Sequence, residues 1–186
     1  VDGPMKFKPI AASAYQQTTS DPLVLNTKPW VIPEGYAQRI ISDESDLDIY
    51  PNSGDWNDMN TVNETGKLAG RYMYRTHEVR PGSDPFLGGA VSIVDLKTGE
   101  AEVLAQRADW EALDGLVWTP WQTLLFAEET ITAQLPDPDV PAAQSGLLYE
   151  LKFANNDPTK VEEIKVRPKL GSLSHEGIEI DDEGNV

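Results

Sequence analysis

Ala90-Val91-Ser92-Ile93-Val94-Asp95-Leu96, then Lys97-Thr98-Gly99-Glu100, then Ala101-Glu102-Val103-Leu104-Ala105 is the stretch on which the fold turns. Two β-rich runs flank a glycine-containing loop, the pattern of a hairpin. A second unit of this kind runs from Gly146-Leu147-Leu148-Tyr149-Glu150-Leu151-Lys152-Phe153 through Asn155-Asn156-Asp157-Pro158 into residues 161–166. Fourteen glycines and fourteen prolines punctuate the chain, and no segment shows a long apolar period of 3.6 residues. The sequence therefore predicts an all-β fold. Residues 1–30 read as an irregular extended arm and residues 31–186 as the β domain. Within the latter, 43–58 is acidic and turn-rich, and 135–143 is a proline-rich surface loop.

A weak internal repeat refines this. Asp114-Gly115-Leu116-Val117-Trp118-Thr119-Pro120-Trp121-Gln122-Thr123-Leu124 can be laid over Glu176-Gly177-Ile178-Glu179-Ile180-Asp181-Asp182-Glu183-Gly184-Asn185-Val186. Both read acid, glycine, apolar, any, apolar, then a turn and a new apolar position. That order suits the inner strand of a propeller blade, a tight turn and the next strand, with the acid near the central channel. The expectation is a β-propeller of which this sequence supplies about two to three blades. Its second copy stops at Val186, where a further strand would begin, so the propeller is expected to be incomplete at this end.

Composition narrows the classes of function. Acidic residues number 31 against 15 basic ones, a net charge of −16, with no cluster of Lys and Arg to release counterions from nucleic acid. Nucleic-acid binding is set aside. No apolar run approaches the roughly 18 residues of a membrane helix, and no basic segment precedes an apolar one as in a signal peptide. A start at Val1 fits a processed or trimmed chain. Cysteine is absent, which excludes disulfides, thiolate nucleophiles and Cys-zinc sites and is compatible with an extracytoplasmic location. Most carboxylates of so acidic a surface are simply solvated, but oxygen donors are also what calcium takes.

Three pairs stand at the edges of β-like runs: His77-Glu78, Glu128-Glu129 and His175-Glu176. Adjacent residues of a strand point to opposite faces, so only one of each pair can face a shared centre. A lone histidine is ordinarily a hydrogen-bonded structural residue, and the spacing excludes a zincin helix. Trp118-Thr119-Pro120-Trp121 reads as an aromatic brace, or alternatively as a stacking platform for a ring or sugar. No nucleophile elbow, Walker loop or dinucleotide fingerprint occurs. Asn63-Glu64-Thr65 matches a glycosylation sequon by pattern only.

At these same residues the sequence resembles the PhoX-type alkaline phosphatases. Members carry Asn-His-Glu at the end of an early strand, then Asn-Cys-Ala-Gly-Gly-x-Thr-Pro-Trp-Gly-Thr leading to Glu-Glu-Asn, and later a His-Glu. This chain has Thr76-His77-Glu78, Leu113-Asp114-Gly115 leading through Thr119-Pro120-Trp121-Gln122-Thr123 to Glu128-Glu129-Thr130, and Ser174-His175-Glu176-Gly177. The runs Asp58 to Gly66 and Gly70-Arg71-Tyr72 also look like a branch of that family. The order agrees across roughly residues 30 to 186.

The resemblance implies a six-bladed propeller, exported to the periplasm or cell exterior, with a central iron and calcium site that cleaves phosphomonoesters. It implies Asp114, Glu128, Glu129 and Glu176 as metal ligands, with His77, Glu78, His175 and Trp121 behind them. The family's iron-binding Cys falls on Asp114, a departure that bears on the iron, although a carboxylate remains a competent hard ligand for Fe³⁺ or Ca²⁺. The implied partners are a phosphate-ester substrate and the remainder of the propeller or other chains of an assembly. The alternative expectation is a non-enzymatic, calcium-stabilised propeller in an extracytoplasmic assembly. A sugar- or lactone-hydrolysing calcium propeller rests on fold analogy alone.

Overall fold

Eight strands form, among the residues described by this computed structural model: 37, 39–47, 49, 56–80, 87–129 and 135–186. The arm read at 1–30 lies outside the described residues. Strands β1 (Trp56–Val62), β2 (Tyr72–Glu78), β3 (Ala90–Asp95) and β4 (Ala101–Gln106) make one sheet, in chain order and antiparallel throughout. Strands β5 (Leu113–Trp118), β6 (Leu124–Glu128), β7 (Leu148–Phe153) and β8 (Val161–Val166) make a second sheet of the same order. The helical content of the described residues is three single turns. The fold is all-β, and neither sheet closes on itself.

The hairpin quoted at the outset forms β3 and β4, with Ile93 opposite Glu102 and Val94 opposite Ala101. Its loop closes through Asp95 N–H to the Glu100 carbonyl (2.9 Å) and Gly99 N–H to the Asp95 carbonyl (2.7 Å). Gly99 sits at φ +80°, where a side chain would be strained. The second hairpin forms β7 and β8, with Leu151 opposite Ile164.

The two sheets stack through one apolar core. Tyr74, Val91 and Ile93 from the first sheet meet Leu116, Trp118, Phe126, Tyr149 and Phe153 from the second. Tyr74 lies parallel to Trp118 with ring centroids 5.7 Å apart, and its hydroxyl donates to the Pro158 carbonyl at 2.8 Å. Two further bonds cross between the sheets. Trp118 N–H donates to Thr61 Oγ1 (3.2 Å), and Thr76 Oγ1 donates to the Asp114 carbonyl (2.6 Å). They fix β5 against β1 and β2, the second of them at Asp114 itself.

Strand β6 is buried along its whole length because the second sheet is covered on both faces. Leu124 and Phe126 face the inter-sheet core, while Leu125 and Ala127 join Leu148 and Ile178 on the opposite face. Residues 174–180 thus pack on this sheet, but they do not form the regular strand their pattern suggested. A strand needs a ladder, and the segment gains no partner strand among the described residues.

The turns aligned by the repeat close identically. Thr119 N–H bonds the Thr123 carbonyl and Gln122 N–H the Thr119 carbonyl; Asp181 N–H bonds the Asn185 carbonyl and Gly184 N–H the Asp181 carbonyl. Thr119 Oγ1 accepts Thr123 N–H, as Asp181 Oδ1 accepts Asn185 N–H. Gln122 and Gly184 both have positive φ. Asn63 is buried, its amide donating to the Leu68 carbonyl (2.8 Å) and accepting Tyr72 N–H (2.9 Å). It braces the β1–β2 loop and leaves the sequon without an accessible acceptor.

Candidate metal centre

Two irregularities in strand pairing build this site. Between the pairs Asn57–His77 and Asn60–Arg75, β1 advances three residues while β2 advances two. Between Leu113–Glu128 and Leu116–Phe126, β5 and β6 do the same. Each is a β-bulge, which locally breaks the alternation of side chains and re-aims one. The bulges fall on Asp58-Met59 and Asp114-Gly115, so Asp58 and Asp114 occupy equivalent places in the two sheets. The strand-2 partners are equivalent too: Glu78 ends β2, and Glu129 directly follows β6.

Five carboxylates converge as a result. Asp58, Glu78 and Asp114 each offer an oxygen within 4.8 Å of the others, and so do Asp114, Glu129 and Glu176. Asp114 belongs to both groups and is only 4 % exposed. Glu176 arrives from the segment lying along β5, whose approach depends on Gly115 having no side chain.

One cation answers this charge within the described residues. Arg80 pairs with Glu78 at 2.5 Å and with Glu129, linking a carboxylate of each sheet. The compensation is incomplete. Burial, with Asp58, Glu176 and Glu129 nearby, pushes Asp114 up to about 6 against the pull of Arg80. Burial, with a hydrogen bond to Asp58, pushes Glu78 up to about 7, again opposed by Arg80.

The structure brings together Asp114, Glu129, Glu176 and Glu78 from the sequence-derived set, and separates the rest. Glu128 is fully buried and faces the other way: Oε1 accepts Glu111 N–H and Oε2 accepts Leu147 N–H, both at 2.9 Å. Burial still raises it to about 7. His77 is buried with Nε2 2.7 Å from Ser92 Oγ. His175 stands outside both groups, its imidazole held toward the neutral form by burial. Trp121 sits on the turn at the far end of the β5–β6 hairpin, donating from Nε1 to Glu150 Oε1 at 2.8 Å. The reading by sequence missed Asp58 and Arg80. Asp58 was within reach of the internal repeat, had Asp58-Met59 been aligned with Asp114-Gly115 despite the missing glycine.

The donor set is chemically uniform. Oxygen-only ligands without thiolate or imidazole suit hard cations such as Ca²⁺, Mg²⁺, Mn²⁺ or Fe³⁺. Comparison of the chain with family models, curated proteins and solved structures finds no match.

Proposed function

We propose that the two sheets are neighbouring blades of a propeller-like domain and that Asp58, Glu78, Asp114, Glu129 and Glu176 bind a hard cation, calcium first, at their inner ends. The observation that carries this reading is the position of Asp114, a nearly buried carboxylate common to two acidic groups. Holding like charges this close is unfavourable at neutral pH and above unless a cation, rather than a proton, neutralises them. We further propose that the centre serves hydrolysis of phosphomonoesters, as the resemblance to PhoX-type phosphatases in the His77-Glu78, Thr119-Pro120-Trp121 and His175-Glu176 runs implies. A cation bound there would polarise phosphoryl oxygens, while Arg80 offers a guanidinium suited to phosphate at the same place. A second reading, a calcium-stabilised structural or interaction module outside the cytoplasm, is favoured by Asp114 standing where that family has its iron-binding Cys.

Calcium titration of the metal-stripped chain by calorimetry tests the centre. Wild type should bind, and Asp114→Asn should weaken binding by at least about tenfold. An unchanged affinity removes Asp114 from the ligands, and no binding by wild type removes the metal centre. Hydrolysis of p-nitrophenyl phosphate by protein loaded with calcium and iron then separates the two readings. Calcium binding without hydrolysis leaves the structural module.

A further inference from the structure

Glu128 stands beside the acidic centre without facing it, and its hydrogen bonds reach each segment from which a carboxylate of one group is presented. Its side chain receives Glu111 N–H, three residues before Asp114, at 2.9 Å. The other oxygen receives Leu147 N–H, directly before β7, also at 2.9 Å. Its own carbonyl accepts His175 N–H at 3.2 Å, directly before Glu176. Its chain neighbour Glu129 donates from the backbone to the Ala112 carbonyl at 2.9 Å. Asp114, Glu129 and Glu176 are therefore each tied to one fully buried residue within a few bonds.

We propose that Glu128 is a positioning residue, which sets the spacing of Asp114, Glu129 and Glu176 and is not itself a ligand of the cation. This rests on the metal-centre reading above. The chemistry asks for a carboxylate. Two N–H groups point at two oxygens where no water can substitute, and a glutamine would turn an NH₂ against one of them. The first sheet repeats the arrangement with other chemistry. His77 pairs with Asn57 as Glu128 pairs with Leu113, is buried and held by Ser92, and directly precedes Glu78. In both sheets a buried, anchored polar residue is followed by a carboxylate of the centre.

The test is calcium affinity of the full chain by calorimetry, in wild type, Glu128→Gln and Glu150→Gln. Glu150 is a buried carboxylate bonded to Trp121, Thr123 and Arg167, so its loss weakens the fold without touching those three segments. Glu128→Gln should weaken calcium binding roughly 10- to 100-fold, the range for residues that orient metal ligands, while Glu150→Gln binds as wild type. Equal affinity in Glu128→Gln and wild type overturns the positioning role and leaves the metal centre standing. Equal losses in both variants reduce Glu128 to a general structural residue and also overturn it. Absence of calcium binding by wild type overturns both proposals. Should Glu128→Gln fail to fold, hydrogen exchange on wild type decides. Calcium should slow the amides of Glu111, Leu147 and His175 together, by the reciprocity of coupled equilibria. Bound calcium with no change at these amides refutes the proposal.

Discussion

A Cβ added at Gly115 would lie 2.3 Å from the Glu176 carbonyl oxygen and 2.9 Å from Ile178 Cγ1. The first neighbour is backbone and cannot swing away, so the 174–180 segment would have to lift. Gly115→Ala should therefore cost about 1–3 kcal/mol of stability, the usual range for overpacking. It should also weaken calcium binding although no carboxylate is removed, because Glu176 moves with the segment. Gly177, in the matching place of the repeat, has open space around its missing Cβ. Gly177→Ala should stay within about 0.5 kcal/mol of wild type. Urea denaturation and calcium titration of both variants check the pair. Here sequence reading singled out the acid-glycine pair but gave the glycine no reason. The acid-glycine pattern singled out Asp114 and Glu176, but the glycine answers to a close approach between two segments, which no local pattern displays. Glu128-Glu129 shows the same limit. Adjacent strand residues must diverge, and only the burial of Glu128 against Glu111 and Leu147 reveals which one turns inward.

At the scale of elements, what was legible is what alternation and turn chemistry encode. The hairpins β3–β4 and β7–β8 follow from their two β-rich runs and their loops, and β6 from an unbroken apolar run. The bulges at Asp58-Met59 and Asp114-Gly115 were not legible, since a two-against-one pairing is a relation between strands. They are also what makes the acidic residues meet, so the site was half hidden for a structural reason. The covering segment illustrates the converse. Ile178 was aligned with Leu116 as a strand residue, and it is indeed 7 % exposed, but it packs on Leu125, Ala127 and Leu148 from an irregular backbone. Without a ladder, side-chain burial carries most of what holds the segment in place. Ile178→Ala should cost about 2 kcal/mol, whereas Val103→Ala, at an exposed position of β4, should be near neutral. Thermal and urea unfolding of the two variants measures the contrast. A loss as small at Ile178 as at Val103 would mean that the segment is not docked on the sheet.

For the whole molecule, the balance of charge sets how stability depends on pH. The chain carries a net charge of −16, and among the described residues three carboxyl groups are held above their ordinary values: Asp114 to about 6, Glu78 and Glu128 to about 7. Between the unfolded values near 4 and these folded values, the native state binds more protons than the unfolded one. Linkage then makes native stability fall as pH rises through that window. Other carboxylates act in the opposite sense. Asp95 and Asp157 are lowered by hydrogen bonds to Arg71 and Thr159, and Glu150 is lowered by Arg167, Trp121 and Thr123 against its burial. Their contribution is lost only on acidification, as the pH falls below about 4. The metal-free protein should accordingly melt at its highest temperature near pH 5 and progressively lower toward pH 8. Calcium held at the proposed centre should reverse the trend, because a cation bound by ionised carboxylates stabilises the folded state by mass action. The rise in melting temperature on adding calcium should be larger at pH 8 than at pH 5. Calorimetric scans at both pH values, with calcium and with chelator, measure all four states. A metal-free melting temperature that climbs from pH 5 to pH 8 would show that the crowded carboxylates around Asp114 do not govern the stability of the fold.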